Sequence, residues 1–150
     1  GRFRGPRLRD ELLREGMITE TLETSTTWRD LELVHGAVGE AVRGALDGAS
    51  PVVACHISHL YPAGASLYFS VLARRADEDP EGQWLRARRA AGDALAAAGA
   101  TITHHHAVGI DHAPWMTAEV GAVGVDLLRA VKAHLDPGFV LNPDKLIPHT

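Results

Sequence analysis

Apolar residues recur along this chain at two different periods, and the periods alternate. Residues 17–25 set Ile18 and Leu22 against Thr19, Thr21 and Glu23 and are rich in β-formers, which predicts a strand. Behind Thr27-Trp28-Arg29-Asp30, which resembles a capping box, Leu31, Val34, Val38, Ala41, Val42 and Ala45 repeat every three or four positions. That pattern predicts a helix, ended by Gly48 and Pro51. Residues 52–60 and 66–74 read as two strands joined by the turn Pro62-Ala63-Gly64-Ala65. Asp79-Pro80-Glu81 opens a second helix with Trp84, Leu85, Ala91, Ala94, Leu95 and Ala98 facing inward and Gly99 as its left-handed stop. A short strand at 101–103 completes the order β-α-β-β-α-β. Right-handed crossovers fold that order into an α+β, ferredoxin-like antiparallel sheet with both helices on one face.

The ends add to this unit. Leu8, Leu12 and Leu13, between Pro6 and Gly16, predict a short opening helix within residues 1–16. Residues 17–116 form the ferredoxin-like domain, and 117–150 a C-terminal helix and extended tail. In that helix Thr117 is the expected cap and Val120, Val123, Leu127, Val131 and Leu135 the expected inward stripe. The tail from Asp136-Pro137-Gly138 to Asn142-Pro143 is turn-rich and is expected to lie across another surface.

Period-2 alternation also assigns faces. Leu67, Phe69 and Val71 share one face with Val53, Cys55 and Ile57, and these richer apolar sets belong under the helices. The other face displays Tyr68, Ser70, His56 and Ser58. A net charge of -4, with basic residues scattered rather than striped, argues against nucleic acid and anionic membranes as partners. No apolar run approaches the roughly 20 residues of a spanning helix. The single cysteine, Cys55, cannot form an internal disulfide and reads as a small buried hydrophobe in a reducing, cytoplasmic setting. Gly1-Arg2-Phe3-Arg4-Gly5 carries neither an initiator Met nor a signal-peptide core, so the chain is expected to be part of something longer.

The chemistry concentrates after residue 103. His104, His105 and His106 leave the expected last strand together, and imidazoles at such a junction need partners or solvent. They read first as a site. A zinc site drawn from His56, His59, His104, His106 and His112 lacks compact ligand spacing, so no metal is expected. Asp111 is a candidate to orient an imidazole through its Nδ1 proton, and His112 a candidate for a substrate entrance. His35, His134 and His149 read as surface residues, and Arg74, Arg75, Arg86, Arg88 and Arg89 mostly as solvated faces.

Four segments carry a family resemblance: Leu22-Glu23-Thr24-Ser25 before a Trp-opened helix; Gly64-Ala65-Ser66-Leu67-Tyr68-Phe69; His104-His105-His106-Ala107-Val108-Gly109 with Pro114-Trp115; and Leu135-Asp136-Pro137 ending in Leu141-Asn142-Pro143-Asp144-Lys145-Leu146. Together they resemble the C-terminal part of FAD-linked oxidases of the vanillyl-alcohol oxidase superfamily, and within it the branch containing alkyldihydroxyacetonephosphate synthase. The resemblance implies a cap domain that covers the flavin of FAD, docked on an FAD-binding domain of the same protein. It implies catalytic roles for Tyr68, His104, His105 and His106, and cofactor contact by His105, His106, Asn142 and Lys145. Two departures matter. Tyr68 and His105 stand where the metal-dependent 2-hydroxyacid branch carries a ligand histidine and a glutamate, which argues against that branch. Ala107 stands where the synthase branch has Gly, adding a methyl group at a turn suited to positive φ.

The implied function is exchange of an acyl group for a fatty alcohol on glycerone phosphate, with a small-molecule or lipid-like substrate. FAD-dependent oxidation of an alcohol or 2-hydroxyacid is the second reading. A non-enzymatic ferredoxin-like module, which predicts a folded, colourless protein with either a soluble open face or a homodimer made through it, is the third, and a zinc hydrolase the last. No Gly-rich pyrophosphate loop occurs in these 150 residues, so the segment alone is not expected to hold FAD with the family's full set of contacts.

Overall fold

The computed structural model describes residues 5–147. His149 and the last residues of the expected tail lie outside the described residues. The elements are α1 (Gly5–Arg14), β1 (Met17–Thr27), α2 (Leu31–Ala45), β2 (Val52–Ser58), β3 (Gly64–Arg74), α3 (Pro80–Ala97), a 3-10 turn (Ala113–Trp115) and α4 (Met116–Leu135). β3 lies at the centre of a three-stranded antiparallel sheet ordered β1-β3-β2. This is the expected α+β class.

Cross-strand pairing makes the two faces explicit. Leu22 faces Phe69 and Cys55 faces Phe69 from the other side, while Glu23 and His56 flank Tyr68. Cross-strand partners share a face. Leu67, Phe69 and Val71 are buried with Val34, Val38, Val42 and Leu46 and with Ala87, Ala91 and Leu95 of α3, so both helices cover the expected side. Small residues at 87 and 91 let α3 approach closely. Leu85, expected inward, is 48% exposed; Ala87 takes the buried position. Glu20, on the helix-covered side, accepts hydrogen bonds from Trp84 Nε1 and Arg88. On the opposite face, Leu8 and Leu12 of α1 line a groove with Thr19, Thr21, Ser70 and Leu72.

Local chemistry fixes the connections. Thr27 donates to the Asp30 carboxylate and accepts from the Asp30 backbone N–H, but Asp30 is the N-cap of α2 and its side chain makes no cap hydrogen bond, so the expected capping box does not form. Asp79 caps α3 by accepting from Gly82 N–H at 2.9 Å, and Gly99 ends it at φ 66°. At Gly64 an added Cβ would stand 1.9 Å from the Thr26 carbonyl oxygen, so only glycine lets the two strand ends meet.

Two further expectations need correction. Residues 101–103 do not form a fourth strand. Thr101 N–H does donate to Ser25 O at 3.2 Å, but Ser25 N–H turns to the Thr101 hydroxyl and Ile102 N–H donates to Glu119 of α4. Side-chain oxygens thus take the donors that a ladder would need. The expected inward stripe of α4 is the second. Val120, Val123, Leu127, Val131 and Leu135 are 43–74% exposed, and the buried positions are Met116 and Val125, packed with Ile102. Gly121, at φ 75°, interrupts α4, and the start of the helix follows Trp115 rather than a Thr117 cap.

Candidate active site

The open face of the sheet has two ends. α1 occupies one, and residues 104–106 fold over the other, above Glu23 and Tyr68. Glu23 sits in β1 opposite Tyr68, on the face away from the core, yet its side chain is only 4% exposed because the histidines cover it. His105 donates to it twice: backbone N–H to Oε2 at 3.1 Å, and ring Nδ1 to Oε1 at 3.1 Å. His106 Nε2 lies 3.6 Å from Oε2, and His59 Nδ1 3.9 Å from Oε1. Burial pushes the Glu23 carboxyl up, but the side-chain and backbone hydrogen bonds from His105, with the charges of His105 and His106, outweigh it and hold the group below its ordinary value.

The rings form a connected group. His104 and His105 lie 3.9 Å apart by centroid and His59 and His105 4.5 Å, while Tyr68 meets His106 edge-on at 5.7 Å. Tyr61 Oη shares a 2.9 Å hydrogen bond with His104 Nε2. Burial, joined by the charge of His105, lowers the His104 pKa, with the Glu23 charge acting the other way. His59 adopts φ 47°, a left-handed conformation that a non-glycine residue holds only when its surroundings fix it. Ser58 and Ser66 hydroxyls, each 3.2 Å from His59 Nδ1, and the turn formed by Tyr61 and Gly64 do so. Glu23, His56, Ser58, His59, Tyr68, His105 and His106 together line an open depression of about 620 Å³.

The structure therefore brings Tyr68, His105 and His106 to one place, with His104 packed beside them. It does not bring Asn142 or Lys145 there. Both are exposed in the tail, where Lys145 N–H donates to Asn142 O. Asp111 does not orient an imidazole; it pairs with Arg88, which also contacts His112. Burial, then the Arg88 charge, lowers the His112 pKa. Ala107 adopts φ 62°, the conformation suspected from the residue that stands there. Trp115 anchors the far end of the loop on α3: its indole donates to Asp93 at 2.9 Å, and a Cβ on Gly92 would stand 2.4 Å from the ring.

Sequence reasoning gave Glu23 and Tyr61 no role in the site and placed His59 only in a weak metal set. The signal for Glu23 was present: an acidic residue at an open-face position of a strand whose neighbours are apolar or hydroxyl-bearing. Donor atoms of Glu23, His59 and His105 lie within 4.8 Å of one another, a separation from which three side chains could hold a metal ion. The same atoms are already satisfied by hydrogen bonds among themselves and to the serines.

Residues 1–146 match the family described as FAD linked oxidases, C-terminal domain. The chain belongs to this family. Its relatives include the alkyldihydroxyacetonephosphate synthases of Dictyostelium discoideum, 33% identical over 98% of this chain and 24% of that protein, and of Caenorhabditis elegans, 36% identical over 93% of this chain and 24% of that protein. A solved alkyldihydroxyacetonephosphate synthase structure shares the fold, with a TM-score of 0.66 and 24% identity over 95% of this chain and 23% of that one. The chain spans about a quarter of the length of these relatives. The ring set fits the flavin end of FAD in kind: imidazole and phenol groups on an open, partly apolar surface, able to meet a planar heteroaromatic ring presented from outside.

Proposed function

We propose that this chain is the cap of a longer flavoenzyme of the alkyldihydroxyacetonephosphate synthase type, which exchanges the acyl group of a glycerone phosphate ester for a fatty alcohol. One observation carries the reading: Tyr68, His105 and His106 converge on a single open depression above a buried carboxylate, with His104 packed against His105. FAD, when bound against this surface, supplies an electrophilic ring able to hold a carbon group without net oxidation. The chain's own residues handle protons. Tyr68 meets His106 edge-on, so a phenol and an imidazole, both groups that can pass a proton, border the same depression. His105 and His106 border the depression.

The exposed stripe of α4 takes a place in the same proposal. Val123, Leu127, Val131 and Leu135, with Phe139, Val140 and Leu141 of the tail, form an apolar surface suited to the FAD-binding domain. A second copy of the chain is the competing occupant, and Asn142 and Lys145 belong to this docking tail rather than to proton handling. The sole cysteine keeps a cytoplasmic setting within the proposal.

The test uses the full-length protein that carries this chain, with flavin content measured for each variant. Tyr68→Phe and His105→Ala are each expected to lower kcat by about 10²-fold or more while flavin stays bound. Full turnover in both variants removes the site from the chemistry. If the protein instead bleaches its flavin on an alcohol or hydroxyacid without a fatty-alcohol exchange, the synthase reading is replaced by the oxidase one.

A further inference from the structure

We propose that Glu23 is the positioning residue of the histidine site, locking His105 in the tautomer that carries its proton on Nδ1 and leaves Nε2 as a free acceptor. The proposal deepens the proton-handling reading above and rests on it for its consequence, but the tautomer lock stands on geometry alone.

Each oxygen of the carboxylate has one donor from His105. The backbone N–H can only donate, so Oε2 is its acceptor at 3.1 Å. Oε1 is likewise an anionic acceptor, and at 3.1 Å from Nδ1 it leaves no arrangement of a neutral ring except Nδ1–H. In a neutral imidazole the other nitrogen is then bare. The ring is 47% exposed and lines the depression, so Nε2 is the nitrogen able to meet a reactant's proton. Glu23 itself cannot do this work, being 4% exposed beneath the ring.

The surroundings favour the lock. The titratable groups facing Glu23 are His59 just after β2, His56 on β2, Tyr68 on β3, and His105 and His106 from the loop, with the His104 ring tilted against His105. The ion-pair partners of Glu23 among the described residues are His59, His105 and His106, all imidazoles. A buried carboxylate left without donors is costly, so the two bonds from His105 fix the loop as well as the ring. The chemistry is that of a carboxylate orienting an imidazole, the role that Asp111 was suited to by sequence and that its pairing with Arg88 removes.

The isosteric substitution Glu23→Gln gives a sharp test. An amide has one acceptor and one donor end. With its oxygen on the His105 backbone N–H, its NH2 faces Nδ1, and the ring must move its proton to Nε2. Long-range 1H–15N spectra of the ¹⁵N-labelled chain at about pH 8 read both nitrogens, with His105→Gln identifying the signals. The expected result is Nδ1–H in the unmodified chain and Nε2–H in Glu23→Gln. Nε2–H in the unmodified chain overturns the proposal even if the variant does not fold, and so does a folded variant whose tautomer is unchanged. Stoichiometric Zn²⁺ retained by the unmodified chain with loss of the Nδ1 proton overturns it too, in favour of a metal on Glu23, His59 and His105.

Turnover separates this proposal from the reading beneath it. In the full-length flavoprotein Glu23→Gln is expected to lower kcat by about 10²-fold with KM and flavin content retained. An inverted tautomer with unchanged turnover upholds the lock and overturns the proton-handling role of His105.

Discussion

The histidine end of the sheet and the C-terminal helix respond to the same constraint in opposite ways. At the first, a buried charge gathers partners from within the chain: Glu23 draws His59, His105 and His106 around it and leaves little of itself exposed. At the second, an apolar stripe finds no comparable partner among the described residues, and Val123 and Leu135 remain 74% exposed. Polar groups accept few substitutes for their partners, so a hydrogen-bonded site closes locally. Apolar surface is satisfied by any apolar surface, including one on another domain. The contrast explains why the site is built here although about a quarter of the relatives' length is represented.

The sharpest way to break the contrast is through stability. Phe69→Ala, at a position 1% exposed between the sheet and its helices, is expected to cost about 3–5 kcal/mol in chemical denaturation of the chain. Leu127→Ala, with the side chain 63% exposed, should cost under about 0.5 kcal/mol. Comparable losses from both would mean that the stripe is covered within this chain.

Acid should loosen the histidine end before the rest. Glu23, His104 and His112 all titrate below their ordinary ranges in the folded chain. Each depressed group contributes stability that is complete above its unfolded pKa and is lost as the pH falls through the folded one. Tm is therefore expected to hold above pH about 6.5, to fall as the two histidines are forced to charge, and to fall again below about 4.3 as Glu23 protonates. A Tm that does not change between pH 7 and 4 would remove the electrostatic account of this end.

The smallest effect concerns Ala107. Its φ of 62° carries a steric cost that Ala107→Gly relieves, so the variant should be as stable or up to about 1 kcal/mol more stable. A clear loss of stability would mean that the methyl group packs usefully in the loop.

Much of this was legible in the chain itself. The periods at 17–25, 31–45 and 66–74 gave the elements, and alternation in β3 correctly put Phe69 in the core and Tyr68 on the open face. The fourth strand misled because three apolar and β-branched residues look alike whether their N–H groups meet a strand or side-chain oxygens. Thr101 and Glu119, not the apolar pattern, decide that choice. The stripe of α4 misled in another way: periodicity shows that a face is to be covered and does not say by what. Glu23 was hidden because its role depends on a loop 82 residues away, a separation that no local pattern expresses.

The most direct test of the central claim is the visible spectrum of the flavin in the full-length protein. If Tyr68 and the histidines lie against the flavin, Tyr68→Phe and His106→Ala each shift the flavin bands while flavin stoichiometry is kept. Band positions identical to the unmodified protein in both variants would contradict the account and move the flavin away from this end of the sheet.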